Sequence, residues 1–508
     1  MIEAGAPATA SRPLADLTRA NLAIAGIPSE PNPVRIVHLG LGAFHRAHQA
    51  WYTQHAGDGW GIAAFTGRSP RAAETLAEQD GVYALVARSA GGDAVELITS
   101  ISEARDGADL ERLVALLADP DVGVVTLTIT EAGYHVGADG ELDCDDPDVQ
   151  GDIRALRRAS SRAAGESRRS GEIRRDPANS LRVLQDLRIS QAPGPRVPVT
   201  PLGRLLWGLR ARRAAASGPI AVVSCDNIPA NGATTRRALV ALAAHTDEAL
   251  VEWIERNVSF VSTSVDRITP AHDGPLDAVV AAGWRDRGPV VTEPFADWVL
   301  EGDFPAGRPA WHLAGARFVD DIGPWEDRKL WLLNGAHTIL AAAGPTRGHV
   351  TVSEAFADPT CRALVDSFWD EAVRCLPAGV EHVEYRRQLA ARFANTRIVH
   401  RLEQIGAESA AKVRFRLVPI ARGLRARGED AAAAAAALAE WICRQRVGGD
   451  APDREGGALA AARRAADPVD ALLRLVAPDL ADDRPFVARV RAAASGLSST
   501  TGTDKEHP

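Results

Sequence analysis

The stretch Val34-Arg-Ile-Val-His-Leu-Gly-Leu-Gly42 decides the fold class. It is a short apolar run that ends in two glycines, and a helical pattern follows it. The same texture returns at Trp60-Gly-Ile-Ala-Ala-Phe65, Gly123-Val-Val-Thr-Leu-Thr-Ile-Thr130 and Ile220-Ala-Val-Val-Ser-Cys225. These β-branched runs are apolar on both faces, as parallel strands covered by helices must be. Helical patterns such as Asp109–Leu117 and Thr234–Ala244 lie between them. Alternating strand and helix predicts a doubly wound parallel sheet.

From about residue 325 the texture changes. Trp331–Ala343, Cys361–Leu376, Val383–Phe393, Ala431–Arg444 and Pro485–Ala493 are Ala/Leu/Arg-rich helical patterns with few β-branched runs. The reading is an N-terminal arm over 1–33 with a short helix near Leu17–Ala25, an α/β domain over 34–324, an all-α domain over 325–495, and a disordered tail over 496–508. Arginines crowd residues 154–196, among them Arg157, Arg158, Arg168, Arg169, Arg174 and Arg175. Acidic residues, Gly and Ser are interleaved with them, so this segment reads as a solvated surface insertion and not as a polyanion site.

The 508 residues carry 58 Lys+Arg against 66 Asp+Glu, a net charge of −8. Such a balance argues against a nucleic-acid or anionic-membrane partner. The chain opens without a cationic, then apolar, leader, and no apolar run reaches the ~18 residues of a spanning helix, so the expected compartment is the cytoplasm. Cys144, Cys225, Cys361, Cys375 and Cys443 form no metal-ligand spacing and read as free, buried filler.

Gly40-Leu41-Gly42 is the first chemical signal. A Gly-x-Gly turn lets backbone approach a pyrophosphate, whose charge the following helix N-terminus favours. The third glycine of the usual fingerprint is replaced by His45, and glycines also serve plain strand-to-helix turns. After the second strand, where a carboxylate would take the adenosine 2′-OH, the chain reads Phe65-Thr-Gly-Arg68-Ser-Pro-Arg71. Arg68 leaves NADP open beside NAD; ordinary solvated arginines are the other reading.

The second signal is Trp325-Glu-Asp-Arg-Lys329-Leu-Trp-Leu-Leu-Asn334-Gly-Ala-His337. At 100° per residue, Glu326, Lys329, Asn334 and His337 fall within an arc of about 140° that also carries Leu333. A lysine drawn among apolar side chains has its charged form penalised and can serve as a general base near neutral pH. An adjacent Asn and His can hold an alcohol oxygen and stabilise alkoxide-like charge. Amphipathic helices also carry Lys, Asn and His at their margins.

Gly40-Leu-Gly-Ala-Phe-His-Arg-Ala-His48 is similar to the GxGxFHRAH opening of the mannitol dehydrogenase family, and Lys329-x4-Asn334-x2-His337 matches its catalytic signature. Thr130-Glu-Ala-Gly-Tyr134, Ser224-Cys-Asp-Asn227, Asn231-Gly232, Val265-Asp-Arg-Ile-Thr-Pro270, Glu293-Pro-Phe295 with Trp298, Gly307-Arg-Pro-Ala-Trp311 and Arg392-Phe-Ala-Asn395 follow in family order. The resemblance covers roughly residues 35–420. It implies a Rossmann-type N-terminal domain, an all-α C-terminal domain, and metal-independent hydride transfer between NAD, the family default, or NADP and C2 of a sugar alcohol or sugar acid.

By the same resemblance Lys329 is the general base and Glu326 its proton-relay carboxylate. Asn227 and Asn334 hold the oxyanion, and His337 touches substrate. Gly40, Gly42, Phe44, His45, Glu131 and Asp266 line the cofactor. Arg392, His400 and Arg401 face the substrate. The run His400-Arg-Leu-Glu-Gln-Ile405 is similar to the uronate-using members, so D-mannonate/D-fructuronate leads over mannitol/fructose or arabinitol. The family's D-G-S-x-K-x-P continuation is replaced here by Ala407-Glu-Ser-Ala-Ala-Lys412-Val. A catalytically silent nucleotide-binding relative, and a sugar-phosphate dehydrogenase using Arg392, Arg401 and Lys412, are the other readings. Monomer or weak oligomer is the expected assembly.

Overall fold

The computed structural model describes residues 14–137, 140–170, 197–447 and 452–500. The chain divides into two compact units, Met1–Ile322 and Gly323–Pro508.

The first unit holds thirteen strands among its described residues: β1 (Ala15–Asp16), β2 (Val34–Leu39), β3 (Gly61–Phe65), β4 (Tyr83–Ser89), β5 (Gly92–Ile98), β6 (Ile101–Arg105), β7 (Val124–Leu127), β8 (Ile220–Ser224), β9 (Val258–Asp266), β10 (Trp284–Arg285), β11 (Val290–Thr292), β12 (Asp297–Glu301) and β13 (Arg317–Val319). The main sheet runs β13-β12-β9-β8-β7-β2-β3-β6. Its six strands from β6 to β9 are all parallel, and β12 joins β9 antiparallel. Counted along the chain, those six have the 3-2-1-4-5-6 order of a dinucleotide-binding Rossmann sheet, with its switch point between β2 and β7. The doubly wound reading of the sequence is therefore borne out.

The strands alternate which face they fill. Val37, Leu39, Val125, Leu127 and Val222 join one core with the helices Leu110–Leu117 and Pro201–Ala215, while Ile36, Ile62, Val124 and Val223 join the core on the other face. Each such side chain contributes about 1.5–3 kcal/mol on full burial. Asp109 caps Leu110–Leu117 by accepting the Arg112 N–H, satisfying a donor the helix cannot.

Three segments differ from the sequence reading. The arm is folded at least from residue 14: β1 pairs with β10, and Leu17 and Leu22 pack against Leu276, Val279 and Trp284. Arg154–Ser170, the first part of the expected insertion, continues the helix Pro147–Ser170, because Ala and Arg are strong helix formers; residues 171–196 lie outside the described residues. The helix Arg484–Thr500 takes in the first residues of the expected tail, and 501–508 lie outside the described residues.

The second unit is all helix among its described residues, apart from a single bridge between Thr351 and Arg401. The helix Gly335–Ala343 is buried at all nine positions and is surrounded by Pro359–Cys375, Ala432–Val447 and Ser409–Arg416. Cys225 and Cys361 are buried, whereas Cys144, Cys375 and Cys443 are half-buried; all five are free.

Candidate functional site

The glycine turn closes the C-terminal end of β2. The Gly40 and Leu41 N–H groups both donate to the Phe65 carbonyl, at 2.9 and 2.8 Å, which ties the turn to the end of β3. Gly40 has φ +110°, and a Cβ there would stand 2.0 Å from the Thr128 carbonyl oxygen, so only glycine fits. Gly42 differs: a Cβ on it would meet nothing nearer than the Gly40 carbonyl oxygen at 3.6 Å. That open face suits the close backbone approach a pyrophosphate needs. Phe44 lies half-buried beside it, stacked on His48 at 5.0 Å.

His45 is not on that face. It is fully buried, and its ring stacks on His38 of β2 with centroids 3.4 Å apart. Its ring therefore packs beneath the turn and offers no exposed surface to a ligand, so any part of His45 at the cofactor is left to its backbone.

A hydrogen-bond network organises the ends of β7 and β8. The Asp226 carboxylate accepts the Ile129 and Thr130 N–H groups, at 3.1 and 2.8 Å, and the Tyr134 hydroxyl at 2.7 Å. Tyr134 Oη also lies 2.6 Å from Ser224 Oγ. Burial pushes the Asp226 carboxyl up, and these donors oppose it. Asn231 joins this end to β9, donating to the Asp226 and Thr263 carbonyls and accepting the Thr263 N–H. Thr130 is held at φ 64°, ψ 163°, a strained conformation of the kind that clusters at functional sites. The exposed side chains of Glu131 and Asn227 follow from this scaffold directly, and Asp266 ends β9, mostly buried. Ligands bind open α/β sheets at this edge. Sequence reasoning noticed the segments around Asp226, Tyr134 and Ser224 without giving these residues a role; carboxylate and hydroxyl in apolar strand ends were the available signal. His38, a lone polar residue in the β2 run, was likewise passed over.

In the second unit the run from Gly323 to Ala343 is continuous helix, but Lys329–Asn334 is a π turn between two α segments. This corrects the angular argument. At α-helical spacing Lys329 and Asn334 would stand about 140° apart; in a π turn, closed by i→i+5 bonds, residues five apart come closer to one face. Other side chains take up its carbonyls. Trp369 Nε1 donates to the Leu332 carbonyl at 2.8 Å, and the Asn334 carbonyl accepts Thr338 Oγ1 at 2.9 Å and Arg416 Nη1 at 3.4 Å. Arg416 also donates to Thr338 Oγ1 at 3.1 Å. Arg328, 1% exposed, lies over the rings of Tyr385 and Trp325 at 4.1 and 4.7 Å and donates to the Glu381 carbonyl, anchoring the residue before Lys329. Glu326, Lys329 and Asn334 are half-buried.

His337 is buried, and its Nε2 has no hydrogen-bond partner among the described residues. Burial, and then the charges of His400, Arg392, Arg416 and Lys412, hold its pKa well below the usual imidazole range, so the ring is neutral. His400 packs edge-on at 4.9 Å and is itself lowered by burial and Arg392. His337, His400 and half-buried Arg392 therefore share one neighbourhood. Arg401 is exposed, and Lys412 Nζ donates to the Ile405 carbonyl at 2.8 Å.

Comparison with known proteins extends over both units. Residues 34–313 match the mannitol dehydrogenase Rossmann domain, and residues 321–497 match the mannitol dehydrogenase C-terminal domain. D-mannonate oxidoreductase of Escherichia coli is 32% identical over 493 residues, covering 91% of this chain and 93% of that protein. D-arabinitol 4-dehydrogenase of Ralstonia nicotianae is 33% identical over 437 residues, 82% of this chain and 83% of that protein. The solved ternary complex of Pseudomonas fluorescens mannitol 2-dehydrogenase with NAD and D-mannitol is 30% identical with a TM-score of 0.67, covering 96% of each chain. With both domain matches in order and relatives aligned over most of its length, the chain belongs to the mannitol dehydrogenase family of oxidoreductases.

Proposed function

We propose that this chain interconverts a hexonate or hexitol and its 2-keto sugar by hydride transfer at C2 with a nicotinamide dinucleotide, and that D-mannonate/D-fructuronate is the preferred pair. The observation that carries the reaction is the π turn over Lys329–Asn334, which brings these two residues toward one face ahead of a buried, neutral His337. The sugar-acid preference is supported by the His400–Ile405 run and by a D-mannonate oxidoreductase alignment reaching 93% of that protein.

Gly40, Gly42 and Phe44 would hold the dinucleotide, with Glu131 and Asp266 at the same strand edge. The open face of Gly42 fits it. A bound nicotinamide would supply the hydride chemistry at C2. In the oxidative direction the Lys329 amine takes the C2 hydroxyl proton, and Glu326 passes it outward. Asn227 and Asn334 donate to the developing alkoxide, where fixed donors act most strongly. His337, neutral and with a spare nitrogen, orients a substrate hydroxyl. Arg392, His400 and Arg401 supply the positive side for a sugar carboxylate, which a guanidinium engages through two bonds.

The test is a spectrophotometric screen of fructuronate, tagaturonate, fructose, mannitol and arabinitol with both forms of NAD and NADP. Turnover of fructuronate above the others is expected. Preference for fructose, mannitol or arabinitol favours the polyol reading, which the arabinitol and mannitol dehydrogenase relatives support. Dinucleotide binding with no absorbance change in any pairing would indicate a silent relative and overturn the proposal.

A further inference from the structure

Arg416 closes the helix Ser409–Arg416 and reaches the far end of the π turn. It is half-buried, and its Nη1 donates to Thr338 Oγ1 at 3.1 Å and, more distantly, to the Asn334 carbonyl at 3.4 Å. That carbonyl already accepts Thr338 Oγ1 at 2.9 Å, so the turn does not need a guanidinium to satisfy it. Nε and Nη2 of Arg416 donate to nothing among the described residues, and neither is sealed off from solvent.

The charge of Arg416 has no counter-ion. Burial pulls the guanidinium down to about 10, with no carboxylate opposing the fall, and at neutral pH it stays charged. Its neighbour Lys412 differs, facing Glu408 and Asp453 as well as Arg416. Asp453 is itself taken up by Ser409 Oγ and the Ala410 N–H. Other arginines of this unit are paired: Arg347 with Glu440, Arg414 with Glu455 and Arg422 with Asp479. A charge drawn out of water without a partner is costly, and such groups concentrate at functional sites. Two buried ring nitrogens in the same neighbourhood, His337 Nε2 and His400 Nδ1, also lack partners among the described residues. The charge of Arg416 acts directly on His337.

We propose that Arg416 is the specificity-determining cation for a sugar acid, its unpaired Nε–Nη2 edge taking the substrate carboxylate through two parallel hydrogen bonds. Arg422 uses the same edge within this chain, holding Asp479 at 2.7 Å from both nitrogens. A carboxylate brings Arg416 a counter-ion and a matched pair of acceptors, whereas a hydroxymethyl end brings no charge. The inference rests on the sugar-acid reading above and names the residue that enforces it.

The test is steady-state kinetics of the full chain with fructuronate and with fructose, which differ by a carboxylate in place of a terminal hydroxymethyl group. Arg416→Gln should raise KM for fructuronate and lower the fructuronate-to-fructose ratio of kcat/KM by roughly 10- to 100-fold. Arg416→Lys keeps the charge without the fork and should fall between the parent and the Gln variant. It also carries the test if the Gln variant does not fold. Equal losses on both substrates would make Arg416 a brace for Asn334 and overturn the carboxylate seat, as would an unmoved ratio. Either result leaves the sugar-acid reading intact, because the parent's preference for fructuronate is measured separately. A parent enzyme that prefers fructose would overturn that reading and the seat together.

Discussion

The imidazoles of His38 and His45 lie stacked, 3.4 Å between centroids and 10° from parallel, directly beneath the glycine turn. His45 occupies the place of the third fingerprint glycine, whose usual part is close packing of helix on strand; here a flat ring lies on a flat ring. His38 reaches Thr126 and Thr128 hydroxyls at 2.8 and 3.0 Å, whereas neither nitrogen of His45 has a partner among the described residues. Burial lowers His38 to about 3, and burial and the neighbouring His38 hold His45 well below the usual range. Unfolded imidazoles titrate near 6.5, so between that value and about 3 the unfolded chain binds more protons. Stability is therefore fully present above about pH 6.5 and is lost as pH falls, by up to about 1.4 kcal/mol per pH unit for each histidine. Urea unfolding from pH 7 to 5 should show this slope, and His45→Asn should flatten it. Identical slopes in variant and parent would refute the account.

Lys329→Ala removes the proton acceptor without touching the glycine turn. A loss of roughly 10²–10⁴ in kcat is expected, with NADH or NADPH affinity unchanged. Stopped-flow turnover and fluorescence titration separate the two effects. Near-parental turnover across neutral pH would remove Lys329 from the mechanism.

Trp369 holds the π turn by donating to the Leu332 carbonyl. Trp369→Phe keeps an aromatic body but leaves that buried carbonyl without its donor, costing about 1–3 kcal/mol. If the turn aligns Lys329 with Asn334, kcat should fall by more than KM rises. A variant that loses stability alone, with kcat unchanged at a permissive temperature, would show that this bond does not set the alignment.

Tyr134→Phe deletes the hydroxyl shared by Asp226 and Ser224. About 1–3 kcal/mol of stability should go with it. Because the three side chains form one network, Tyr134→Phe and Asp226→Asn should be non-additive, with a coupling of about 0.5–3 kcal/mol in a double-mutant cycle. Additive losses would mean that the two residues act separately.

Asn227 and Glu131 stand out as candidates in the sequence because both sit inside motifs, and both are exposed at strand ends in the structure. Asp226, Tyr134 and Asn231 do the holding, but a buried polar residue in one sequence looks like any other until its partners are known. The part played by the His45 ring was hidden for a related reason. Its position in the motif was visible, whereas the direction of its ring depends on a strand residue seven positions earlier.

The sequence by itself determined the alternation of buried strands and helices, the break near residue 325, the glycine turn and the Lys-Asn-His triplet. All of these are local, written in side-chain periodicity and in what a glycine permits. Tertiary structure alone decided the π turn, the histidine stack and the arrival of Arg416 at the Asn334 carbonyl. Each depends on groups far apart in the chain competing for the same buried donors, acceptors and space, and no window of neighbouring residues contains both sides of that competition.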